Sequence, residues 1–110
     1  MTNKFMTNRE ICLKAAARLR EVGWRQSGFG DRDGPHCMIG ACRWAAGWYD
    51  HDIPANAYPT HSAASAAFAA ATSAVGVAAY GSTGRVRADD WNDEPGRTME
   101  EVIAALETCP

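Results

Sequence analysis

What the chain lacks narrows its chemistry first. The opening residues, Met1-Thr2-Asn3-Lys4-Phe5-Met6, hold no apolar run of the kind a secretory leader needs. A cytoplasmic setting with reduced thiols is therefore expected for Cys12, Cys37, Cys42 and Cys109. There is no CxxC and no HxxxH pair. Cys37 and Cys42 would stand about 140° apart round a helix, so neither metal nor cofactor is expected. Gly28-Phe29-Gly30 lacks both the preceding strand and the following Lys-Ser/Thr of a phosphate loop. The formal net charge is only −2, which gives no field to recruit nucleic acid or anionic lipid. Internal repeats are absent.

Strongly apolar residues are scarce where they would matter most. Ser62 to Tyr80 carries no charge, yet only Phe68, Val75 and Val77 are large and apolar there, among many alanines. A membrane-spanning helix needs about 20 residues rich in Leu, Ile, Phe and Val. The stretch reads instead as a buried central helix, with Phe68, Ala71, Thr72, Val75 and Ala79 as its larger face and an alanine face for close contact.

What is present describes a single mainly α-helical domain spanning 1–110, with 1–6 as a disordered tail. Its composition, 46% hydrophobic and 22% charged, is that of an ordinary globule. Thr7-Asn8-Arg9-Glu10 is a capping box. After it, Ile11, Cys12, Ala15, Ala16, Leu19 and Val22 fall within an arc of roughly 140°, and Gly23 closes the helix. A second helix is expected from near His36 to Trp48 or Tyr49, with Met38, Ala41, Ala45 and Trp48 along one face. Thr98-Met99-Glu100-Glu101 is a second capping box, opening a helix that buries Met99, Val102, Ile103 and Leu106. Pro95-Gly96 suits the centre of a type II turn. The expected architecture is a compact four-helix domain with an irregular segment at 24–36. There Trp24–Ser27 and His36–Ile39 could pair as a short hairpin or simply form a loop.

Groups that could carry chemistry cluster from Asp33 to Trp48. Cys37 follows Gly34-Pro35 near a helix N-terminus, where a thiol pKa falls. A nearby histidine and aspartate could make it a nucleophile, although a buried structural thiol fits as well. Asp89-Asp90 and Asp50-x-Asp52 lie in loops without the positioning that acid–base work needs. Arg9, Leu13 and Arg20, opposite the core stripe of the first helix, form a candidate binding face, with Trp44 and Trp48 as a second. Arginine and exposed apolar side chains are common at interfaces.

Two motifs carry a resemblance. Gly23-Trp24-Arg25-Gln26 leads through Asp33-Gly34 to Cys37-Met38-Ile39-Gly40-Ala41. Trp91-Asn92-Asp93 leads through Arg97-Thr98 to Glu101-Val102-Ile103-Ala104-Ala105-Leu106. In this order and spacing the pair resembles a family of small uncharacterised proteins of actinobacteria and their bacteriophages. The resemblance implies a cytoplasmic accessory protein, an early phage product acting on a host component. Its matched residues, Trp24, Gly34, Cys37, Gly40, Ala41, Trp91, Asn92 and Asp93, suit a structural role: tryptophans at helix junctions, glycines at turns, Asn92-Asp93 in the connector to the last helix. The functional expectation is binding of a host or phage protein, with no membrane or nucleic acid and with a homo-oligomer open. The alternative is a small enzyme or ligand-binding domain whose pocket is lined by Cys37 and Asn92/Asp93.

Overall fold

A computed structural model describes residues 7–28, 33–47, 63–78 and 87–110, and all that follows concerns these. They form five helices: α1 Asn8–Val22, α2 Met38–Ala45, α3 Ala63–Ala78, α4 Ala88–Asp93 and α5 Met99–Glu107. The mainly α reading holds, with one short helix more than the four expected. That addition, α4, contains the Trp91-Asn92-Asp93 motif, which the turn-forming residues around it had marked as a connector. The expected tail at 1–6, Trp48 and the loop at 49–59 lie outside the described residues.

Both capping boxes form. Thr7 Oγ1 accepts the Glu10 N–H at 3.1 Å while Glu10 Oε1 accepts the Thr7 N–H at 3.0 Å. Thr98 and Glu101 repeat the exchange at 3.2 and 3.0 Å. Each box satisfies an N–H that the helix itself cannot. At the other end of α1, the Gly23 N–H reaches Leu19 O at 2.9 Å. Pro95 and Gly96 occupy the centre of a turn closed by Arg97 N–H to Glu94 O at 3.0 Å. Gly96 takes φ +87°, the left-handed value that a type II turn requires at that position.

The second helix is shorter than its apolar pattern predicts. Cys37 is its N-cap rather than its interior, and Ala46 and Gly47 close its last turn through N–H bonds to Cys42 O and Trp44 O. The segment before it is not a hairpin among the described residues. Trp24 and His36 do meet, but as one parallel pair, through Arg25 N–H to His36 O and His36 N–H to Gly23 O. His36 is followed at once by the start of α2, which leaves no room for a longer ladder. Gly34 sits at φ +80° against α1, where an added Cβ would collide with the Val22 side chain. No residue but glycine fits there.

Helix α1 packs on α2, α3 and α5, and α3 also meets α2, α4 and α5. This crowding divides the larger-residue face expected for α3, burying Ala71 and Val75 but not Phe68 and Thr72. Its core side is Ala67, Ala70, Ala71, Ala74 and Val75, while Phe68 is 44% exposed and Thr72 faces outward. A helix with four helical neighbours can approach them closely only through methyl groups, so the bulky ring is placed outside. Around it lie Ile11, Leu19, Met38, Val102 and Leu106, all fully buried. No helix of the described residues is long and apolar enough to cross a membrane.

Candidate functional site

Burial of an asparagine is costly unless both its donors and both lone pairs of its oxygen find partners. Asn92, on α4, is completely buried and meets that demand in full. Its Oδ1 accepts the Trp24 indole N–H at 2.6 Å and the Met38 main-chain N–H at 3.0 Å. Its Nδ2 donates to Arg25 O at 3.2 Å and Asp93 Oδ1 at 2.9 Å. Met38 is the first residue of α2, so Asn92 satisfies one of the N–H groups that every helix start leaves over. The Cys37 thiol takes another, accepting the Gly40 N–H at 3.3 Å.

The rest of the motif extends this arrangement. The Gln26 amide donates to Asn92 O at 3.1 Å and Glu94 O at 2.9 Å. Asp93 Oδ1 accepts the Ser27 N–H at 2.8 Å. That bond holds Ser27 at φ +61°, a left-handed conformation that non-glycine residues enter at a cost. Trp91 is 8% exposed, with the Arg97 guanidinium 3.8 Å from its ring centre. Arg97 also donates from Nε to Trp91 O at 2.9 Å and pairs with Glu94 and Glu101.

This corrects one expectation about the connector. Asn92 does not serve the entry to the last helix; Arg97 does, while Asn92 reaches back to residues 24–26 and to α2. The two motifs are thus one structure. Trp24, Cys37, Gly40, Asn92 and Asp93 meet around the junction of α4 with the start of α2, while Gly34 lies against Val22 of α1 and Trp91 under the Arg97 guanidinium. Gln26 and Arg97 stood within the same motifs, but nothing in their spacing assigned them a partner.

The junction offers little to a reaction. Cys37 is buried, and that burial pushes its thiol pKa up, outweighing the lowering effect of the Gly40 and Ile39 N–H groups. A nucleophile at a helix start needs the opposite shift. The Asn92 side chain has no hydrogen-bonding position left over. Beside it, a shallow depression of about 410 Å³ is lined by Asp90, Trp91, Asp93, Glu94 and Pro95, without Cys37 or Asn92. The other three cysteines are also buried and carry free thiols. The Cys12 thiol donates to Ala70 O at 3.3 Å. Among the described residues no group of three or more His, Cys, Asp or Glu is placed to hold a metal ion.

The candidate binding faces are placed differently. Arg9 donates to Cys109 O at 2.9 Å and Arg20 pairs with Glu107 at 2.8 Å, so both arginines tie α1 to the end of the chain. Leu13 remains 41% exposed. Trp44 is partly exposed on α2, with the Arg18 guanidinium 4.4 Å and the Lys14 ammonium 5.2 Å from its ring centre. Arg18 in turn donates from Nε to Nε2 of the buried His36 at 3.3 Å.

Residues 6–109 match the model of DUF6197, a family of unknown function. The chain belongs to that family. Comparison with curated proteins and with solved structures returns no match. Both sequence motifs fall inside the matched range, so the Asn92 junction lies within the family region of this chain.

Proposed function

We propose that this DUF6197 chain is a small cytoplasmic, phage-encoded accessory protein of actinobacterial hosts that works by binding a host or phage protein. One observation carries the reading. The polar and sulfur groups that drew attention as chemistry are engaged within the fold, Cys37 capping α2, Asn92 tying α4 to the start of α2 and Asp93 holding Ser27, while Leu13 and Phe68 are exposed and Trp44 is half-buried at the surface of the core. Tryptophan with neighbouring cations is a composition enriched at interfaces, and it supports binding over catalysis. The arginine- and alanine-rich composition, together with the two motifs, supports the phage and actinobacterial origin.

The test is affinity capture from an actinobacterial lysate, followed by reconstitution of any captured protein with the purified chain. The expected result is a stoichiometric complex that re-forms from the two purified components and weakens with Trp44→Ala. A chain that captures no protein, but turns over a small molecule with loss of activity on Cys37→Ala, would overturn the reading in favour of an enzyme.

A further inference from the structure

Two donors on the α1–α2 seam have no protein acceptor among the described residues. The Trp44 indole N–H makes no hydrogen bond, and its nitrogen is not sealed from solvent. Lys14, exposed one turn before Arg18, has no carboxylate within ion-pair distance; its ammonium instead lies over the Trp44 ring. Trp24 shows the contrast, since its N–H is taken up by Asn92. Arg18 adds a second cationic group, its side chain only 10% exposed and held in place by Glu21 and His36. A fixed guanidinium on one aromatic ring, with an open ammonium and an open indole N–H beside it, is a preorganised set of donors for carboxylate oxygens.

We infer that the Lys14–Arg18–Trp44 ridge is the docking surface, and that its occupant is an acidic segment of the partner protein. This rests on the reading that the chain acts by binding a protein. Charge complementarity selects the occupant: Lys14 and Arg18 make the ridge cationic, whereas residues 87–110 are net acidic, with Asp89, Asp90, Asp93, Glu94, Glu100, Glu101 and Glu107 against Arg87 and Arg97. A nucleic acid, whose negative charge runs its whole length, would meet that acidic end as well. A short acidic peptide segment would not.

The probe is poly-L-glutamate, titrated into the ¹⁵N-labelled protein with oligodeoxythymidylate of matched charge as comparison. The Trp44 indole signal, assigned with Trp44→Phe, is the readout. Expected are a saturable shift of that signal with poly-L-glutamate, suppression by salt, and affinity lowered about tenfold by Lys14→Glu. Arg87→Glu, an equal charge change at the residue preceding α4, should leave the affinity unchanged. No shift of the Trp44 signal, equal weakening by both variants, or tighter binding of the oligonucleotide would each overturn the inference. If poly-L-glutamate fails while a captured protein still forms its complex, the ridge falls and the binding function stands.

Discussion

Asn92 Oδ1 lies 3.0 Å from the main-chain nitrogen of Met38, so a side chain of α4 caps the first residue of α2, 54 positions away in sequence. The same oxygen accepts the Trp24 indole N–H. Three segments that share no regular ladder are thus held by one amide. The Trp-Asn-Asp motif is therefore read here as a fold-building device rather than as a reaction centre.

Replacing Asn92 with alanine would leave three groups without their partner: the buried Met38 N–H, and the partly buried Trp24 N–H and Arg25 carbonyl. At about 1–3 kcal/mol each, the loss is roughly 3 kcal/mol or more. For a domain of this size that lowers the melting temperature by about 12 °C or more, measurable by circular dichroism. Asn92→Asp keeps both acceptors but turns a carboxylate oxygen toward Asp93 and Arg25 O. It should be no better tolerated, and a benign Asn92→Asp would mean that the two donated bonds contribute little.

Trp91 fills the core beneath the Arg97 guanidinium. Truncation to alanine should cost about 3–5 kcal/mol, the usual range for a large buried aromatic. A denaturant midpoint close to that of the parent would show that the ring is an exposed anchor instead.

Helix α3 supports a pair of opposite expectations. Phe68→Ser changes an outward side chain and should shift stability by under about 0.5 kcal/mol. Ala71→Leu adds bulk where four helices crowd together and should cost about 1–3 kcal/mol. Equal effects of the two, in parallel denaturant titrations, would contradict the alanine core.

The buried thiols make stability depend on alkaline pH. Hydrogen bonding with Cys42, and then burial, push the Cys12 pKa far above its ordinary 9.0. Burial pushes Cys109 up to about 11. A folded pKa raised above the unfolded one gives stability that is complete below about pH 9. That stability is lost as pH rises past 9, because the unfolded chain then releases protons that the fold retains. Chemical denaturation at pH 8 and pH 10.5 should show the drop, and Cys109→Ala should reduce it. On the acid side, Thr7 lowers the Glu10 pKa and Thr98 lowers that of Glu101. Both contribute stability present above about pH 4.5 and lost below it.

Much of this architecture was legible in the chain. The two capping boxes, the α1 stripe and the Pro95-Gly96 turn are local devices, encoded within a few residues and read from spacing alone. The orientation of α3 was not, because nearly every side chain there is small and uncharged, and the choice of buried face depends on how many neighbours crowd the helix. The single parallel pair of Trp24 with His36 likewise depends on α4, far along the sequence. Asn92 and Trp24 stood out as motif residues. That they bind each other is a long-range fact which spacing within either motif cannot carry.

Hydrogen exchange of the indole protons tests the account most directly, since one spectrum reports both the junction and the proposed docking ridge. The Trp24 indole N–H, bound to Asn92, should exchange only at the rate of global unfolding, as should the Met38 amide. The Trp44 indole N–H should exchange freely. Rapid exchange at Trp24 and Met38, or protection at Trp44 equal to theirs, would contradict the claim that the Trp-Asn-Asp motif builds the fold and leaves the α1–α2 ridge open to a partner.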